Sequence, residues 1–170
     1  MLLENNTENI CPERGLPEEL FLEISALMPV PNVDLLILNE KHELLLTWRD
    51  DIFFGNGWHL PGGCIRLRET MLERVHKTAI SELGCDVIVD EAPVAVRDVI
   101  INGIREKLEN QRIRSHQLAV LYKCCLIDPD NKIKKGKPGE MQWFRSIPEN
   151  ILTVHDVYRD VFEKFGLLNQ

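Results

Sequence analysis

The stretch from Gly62 to Gly84, GGCIRLRETMLERVHKTAISELG, constrains the fold more than any other part of the chain: a glycine pair leads into an amphipathic helix that closes on a third glycine. From Glu69 to Leu83, advancing by about 100° per residue, Leu72, Val75, Ala79 and Leu83 share one arc, while Glu73 and Lys77 lie on the opposite flank. Such a stripe has to be covered by another layer, and Gly84 can end the helix in a left-handed cap at little steric cost. Glu82 is the exception, because it projects between Met71 and Val75 at the margin of the apolar side, where a bare charge is costly. Either its stem carries the carboxylate out to water or a cation offsets its desolvation. The glycines favour the cation. Backbone at Gly62 and Gly63 can approach a ligand closely, and a carbonyl there together with the Glu82 carboxylate are hard oxygen donors of the kind Mg²⁺ takes, with diphosphate oxygens completing the shell.

Around this segment the pattern predicts a helix over Leu16–Met28, with Leu20, Phe21, Ile24 and Leu27 on one face. Two β-rich runs follow, Val33–Leu38 and Glu43–Trp48, joined by a hairpin turn at Asn39–His42. Gly55, Gly57, Pro61, Gly62 and Gly63 predict a loop around a short WHL segment. Further strand-like runs lie at Asp86–Ile101, broken near Glu91–Pro93, at Gln117–Ile127 and at Met141–Phe144, and Val154–Phe165 reads as a closing helix. Helices interspersed with strands in this order predict an α/β sandwich, a mixed sheet covered on two sides, in one domain spanning residues 1–170 with a helical extension over 1–29. The polar stretch Arg105–Arg114 reads as a long hairpin connection, with part of a base pocket as the alternative.

Composition narrows the partners. An apolar fraction of 44% and a charged fraction of 28% are those of an ordinary globular protein. No apolar run reaches the about 18 residues needed to span a bilayer, and the N-terminus lacks the pattern of a signal peptide, so a cytoplasmic protein with no membrane partner is expected. With 20 basic against 27 acidic residues the net charge is -7, which repels a nucleic-acid backbone, so a phosphate ligand has to be held by local cations or a metal. The basic run Lys132, Lys134, Lys135 and Lys137 reads as a solvated turn. Five cysteines without a CxxC pair read as reduced thiols, with Cys124 and Cys125 on opposite faces of a strand.

The central segment resembles the Nudix box, G-x5-E-x7-R-E-U-x-E-E-x-G-U with U apolar: Gly63, Glu69, Lys77, Thr78, Ala79, Ile80, Ser81, Glu82, Leu83, Gly84 and Cys85 take those places, and WHLPGG is a frequent Nudix lead-in. The resemblance implies a Nudix-like α/β/α sandwich with a mixed sheet. Three places depart from the pattern: Lys77 stands for Arg, and Thr78 and Ser81 stand where glutamates usually bind metals or activate water. A narrower resemblance, to the GDP-mannose mannosyl hydrolase branch, accommodates those departures, since that branch reads close to R-L-T-M-A-E-L-G where this chain reads KTAISELG. It implies a single Mg²⁺ held by Glu82 and by backbone at Gly62 and Gly63, a nucleotide-sugar substrate, and a homodimer. It also maps Asp34 and Arg49 onto substrate-binding positions, more loosely His116, and Lys77 onto the box arginine.

A bound Mg²⁺ would neutralise charge on a departing diphosphate, and Arg49 can meet a phosphate with two prongs. The branch's catalytic histidine has no counterpart here, because Pro138 and Lys137 occupy that loop, so Glu140 is the candidate base and His116 the reserve. Plainer readings stand beside these. Asp34 can end a turn, Arg49 can pair with Asp50 or Asp51, Lys77 with Glu73, Glu140 can be an exposed turn carboxylate, and His116 a strand-end hydrogen-bonding residue. Cys64 replaces a family arginine, with Arg66 or Arg68 as substitutes. Attack by water at phosphorus, as in most Nudix diphosphatases, and a nucleotide-binding domain without turnover are the competing functions.

Overall fold

The computed structural model describes residues 10–51, 53–101, 113–128 and 140–168. Lys132, Lys134, Lys135, Lys137 and Pro138, and positions 105–112 of the polar stretch, lie outside the described residues. In chain order the elements are α1 (Glu18–Leu27), β1 (Val30–Ile37), β2 (Leu44–Asp51), β3 (Gly55–His59), β4 (Gly62–Cys64), α2 (Met71–Leu83), β5 (Val87–Val89), β6 (Ala95–Ile100), β7 (His116–Leu126), β8 (Met141–Phe144) and α3 (Arg159–Lys164). A 3₁₀ turn at Thr153–Tyr158 leads directly into α3.

The strands form two sheets. The larger has the order β4-β1-β7-β5, with β6 also on β7; β1 and β7 run parallel and the other pairs antiparallel. The smaller is antiparallel in the order β3-β2-β8. The predicted hairpin between the first two runs is therefore only local. Asn39 builds the turn, its Oδ1 accepting from the Lys41 and Glu43 amides at 2.9 Å, and one bridge joins Leu38 to Leu44 before the strands part into different sheets.

Side-chain alternation along β1 divides the core in two. Val33, Leu35 and Ile37 pack with Val75, Ala79 and Leu83 of α2. Leu36 and Leu38 face the other way, onto Leu44, Leu46 and Trp58 of the smaller sheet and onto Tyr158, Val161, Phe162 and Leu167 of the C-terminal segment. The mixed sheet thus has α2 on one side and the smaller sheet with α3 on the other, as the α/β sandwich reading expected.

Three further expectations change. The glycine-rich stretch forms β3 and β4 instead of a loop, because backbone there lies too close to its neighbours for side chains: a Cβ on Gly57 would sit 2.5 Å from the Asn150 carbonyl. The closing helix is a 3₁₀ turn followed by a short α-helix. On α1, Leu27 is 83% exposed and Ser25 is the buried residue, so the apolar face is narrower than the spacing implied.

Candidate active site

The helix α2 begins on a capping box: the Thr70 hydroxyl accepts from the Glu73 amide and the Glu73 carboxylate accepts from the Thr70 amide. Gly84 closes it in the left-handed conformation at φ 75°. Just before the helix Glu69 is clamped. It accepts two bonds from Arg74, at 2.6 and 2.8 Å, one from the Arg66 amide at 3.0 Å, and an ion pair from Lys77 at 2.9 Å. Burial pushes its carboxyl up, but the Arg66 amide, Arg74 and Lys77 outweigh that and hold it down at about 2. Lys77 therefore pairs with Glu69, not with Glu73 as its spacing suggested.

The strand β4 lies at one edge of the larger sheet. The Leu35 amide donates to the Pro61 carbonyl and the Ile65 amide to the Pro31 carbonyl, which makes Asp34↔Gly62 a pair without mutual ladder bonds. The N–H and C=O of Gly62 consequently point off the sheet. That amide donates to Glu82, whose carboxyl is pushed up to about 7 by burial, against the pull of Arg49 and the Gly62 amide and with a further push from Asp34. Both glycines are close contacts: a Cβ on Gly62 would lie 2.6 Å from Asp34 Oδ1, and one on Gly63 would lie 2.6 Å from Thr78 Oγ1.

Asp34 sits within β1 and is buried, so it does not end a turn. Its Oδ1 accepts from Asn32 Nδ2 at 2.7 Å and its Oδ2 from the Tyr158 hydroxyl at 2.8 Å. Burial pushes its carboxyl up to about 6, opposed by those two donors and by Arg49. Asn32, Asp34, Arg49, Gly62 and Gly63 line one cleft of about 190 Å³, together with His59, Cys64, Arg114, Gln117 and His155.

Two histidines there were not among the expected site residues. His59 bridges Thr47 Oγ1, 3.0 Å from its Nε2, and the Leu60 carbonyl through Nδ1. His155, 5% exposed, accepts from the Leu60 amide through Nε2 at 3.2 Å and stacks with both His59 and Tyr158 at 6.4 Å. Burial, then His59 and Arg49, push its pKa well down, and its Nδ1 has no partner among the described residues. WHLPGG contains His59, but nothing near His155 in the sequence marks it.

Other expected site residues lie elsewhere. His116 opens β7 with Nε2 3.3 Å from Asp98 Oδ1, and its neighbour Gln117 lines the cleft instead. Glu140 immediately precedes β8, where its carbonyl accepts from the Trp48 amide at 2.8 Å, next to Arg49.

The donor set suits one divalent cation. Glu82 and the outward carbonyl of Gly62 are two hard oxygens on one edge, and Mg²⁺ commonly takes one or two carboxylates and completes its shell with water and ligand phosphates. A multi-metal set is not there: no group of three His, Cys, Asp or Glu converges among the described residues, Thr78 Oγ1 is buried against Gly63, and Ser81 Oγ turns back to the Thr78 carbonyl at 3.1 Å.

Comparison with known proteins agrees with this architecture. The low-salt glycan biosynthesis protein Agl8 of Haloferax volcanii is 24% identical over 152 residues, covering 89% of this chain and 94% of that protein. A MutT protein from Methanosarcina mazei Go1 superposes with a TM-score of 0.58 at 22% identity, covering 81% of this chain and 93% of that one. A UDP-X diphosphatase superposes with a TM-score of 0.56 at 18% identity over 81% of this chain, which spans only 61% of the length of that protein. The NUDIX domain model matches residues 28–165, and with the box helix, its glycine edge and the mixed sheet in place, the chain belongs to the Nudix family.

Proposed function

We propose that this Nudix protein is a Mg²⁺-dependent hydrolase of a nucleoside diphosphate sugar, GDP-mannose-like, that releases nucleoside diphosphate and free sugar. The observation that supports it most is the lone box carboxylate, Glu82, drawn onto the Gly62 amide beside Arg49, with Asp34 on the other side of the same glycine. Thr78 and Ser81 offer only hydroxyls where further acids would bind more metal.

In this reading Glu82 and the Gly62–Gly63 backbone hold the cation, which supplies neutralisation of the charge on the diphosphate leaving group. Arg49 meets a phosphate through two parallel N–H bonds. Asp34, held on both oxygens by Asn32 and Tyr158, orients Arg49 and accepts from a sugar hydroxyl with its remaining lone pairs. Water forms a bond to the sugar carbon as the carbon–oxygen bond to the diphosphate breaks. The electron pair leaves with the diphosphate, through an oxocarbenium-like transition state. Glu140, beside the Trp48–Arg49 end of β2, takes the proton from water; His116 is the reserve, and its contact with Asp98 would have to break first. Lys77 reaches substrate only by leaving Glu69. The branch resemblance further implies a homodimer, and a cytoplasmic location remains part of this proposal.

Attack at phosphorus is the second reading, and the name of the UDP-X diphosphatase that shares the fold supports it. Hydrolysis of GDP-mannose in ¹⁸O water separates the two: we expect label in the sugar, and label in a phosphate product overturns attack at carbon. Glu82→Gln is expected to lower kcat/KM by roughly 100-fold or more. Nucleotide binding by the wild type with no turnover of any nucleotide sugar would instead favour a binding module.

A further inference from the structure

The turn between β2 and β3 carries two adjacent phenylalanines, and each faces an arginine. The Arg49 guanidinium lies over the Phe54 ring at 5.8 Å, and that of Arg114 over the Phe53 ring at 4.7 Å. A second ring holds Arg114 from α1, Phe21 at 4.9 Å. Its backbone is pinned too: the Arg114 amide donates to the buried Ser25 Oγ at 3.1 Å, and φ at Arg114 is +53°, a left-handed conformation that costs free energy in any residue with a Cβ. The chain therefore keeps a strained backbone that delivers this side chain to the cleft that Arg49, Asp34, Gly62 and Gly63 also line.

We propose that Arg114 is a second diphosphate-binding guanidinium, set opposite Arg49 by the Phe53–Phe54 turn. Aromatic rings stack on a guanidinium but leave its planar fork of N–H donors to match phosphate oxygens. Among the described residues no carboxylate pairs with Arg114. Arg114 and Cys64, the residue that follows the glycine pair, line the same cleft. Formal charges are consistent with this: Asp34 and Glu82 balance Arg49 and Arg114, so a bound divalent cation leaves the site at the charge that a diphosphate diester cancels.

This inference rests on the reading of the ligand as a diphosphate but not on its base, its sugar or the bond broken. Calorimetric titration with GDP, UDP and inorganic pyrophosphate, each with Mg²⁺, tests it on the wild type, Arg114→Gln and Arg114→Lys. The glutamine variant is expected to raise Kd roughly 10- to 100-fold, the loss of charge-assisted hydrogen bonds, and lysine to recover only part, because it lacks the fork. A correctly folded Arg114→Gln that binds all three within two-fold of the wild type overturns the proposal and leaves the hydrolase reading standing. A wild type that binds none of the three overturns both. Should the variants fail to fold, phenylglyoxal labelling of the wild type decides: Mg²⁺-pyrophosphate is expected to protect Arg114, and unprotected labelling in saturating ligand overturns the proposal.

Discussion

Glu69 and Glu82 are two carboxylates of one motif whose surroundings drive them in opposite directions. Glu69 has two cations and an amide at its oxygens, and its carboxyl is held down at about 2; Glu82 has one amide and a more distant arginine, and burial pushes it up to about 7. The side chains of Glu69 and Arg74 are 4% and 7% exposed, so the first pair is a buried one. Removing its charge with Glu69→Gln is expected to cost roughly 3 kcal/mol in chemical denaturation, because the Arg74 guanidinium is left buried without its counter-ion. The pH dependence has a definite sign. The folded carboxyl lies below its ordinary value of 4.5, so its contribution is complete above that pH and is lost as the pH falls towards about 2. Stability of the glutamine variant should fall less steeply than that of the wild type across this window. Glu69, Glu82 and the glycines could be picked out as a set because the motif fixes their spacing along one helix and its entry. The partner of Lys77 was not, because Glu69 and Glu73 are both within reach of a flexible lysine and only the folded clamp selects one.

At the scale of elements, α2 was the most readable part, since its apolar period and its terminal glycine agree with one another, while its start two residues after Glu69 came from the structure. The Thr70–Glu73 box satisfies amides that would otherwise lack partners at the helix start. Thr70→Ala is expected to lower stability by about 1 kcal/mol, read as a shift in thermal or denaturant midpoint, while the affinity for Mg²⁺-pyrophosphate stays unchanged because Glu82 lies at the far end of the helix. The glycine-rich strands were the least readable elements. Local rules take such clusters for loops, yet Gly57, Gly62 and Gly63 are small because the Asn150 carbonyl, Asp34 and Thr78 press on them from segments distant in sequence. The turn at Asn39 was readable from its residues, whereas the separation of β1 and β2 into two sheets follows from β7, which pairs with β1 along its whole length, and from β8, which pairs with β2.

Across the whole molecule the C-terminal segment joins core and site. Tyr158 is buried in the core beneath the smaller sheet, and its hydroxyl reaches back to Asp34 Oδ2 at 2.8 Å. That bond favours the ionised carboxylate, so Tyr158→Phe is expected to move the Asp34 carboxyl above its present value of about 6, a change that ¹³C NMR titration of the side chain can follow. No helix among the described residues is long and apolar enough to cross a membrane.

By itself the sequence determined the central helix, the glycine pair ahead of it, the lone box carboxylate and the family they resemble, because each is specified by neighbours within about six helical turns of chain, whereas the strand those glycines form is not. Only the tertiary structure decided which residues line the cleft beside the glycines: His155 from the C-terminal segment, Arg114 from the turn before β7, and Gln117 in the place expected for His116, with Tyr158 bonded to Asp34 from the core. Contacts between segments far apart in the chain depend on sheet order and strand register. A one-residue shift of register turns a side chain to the opposite face, and no local pattern records that choice.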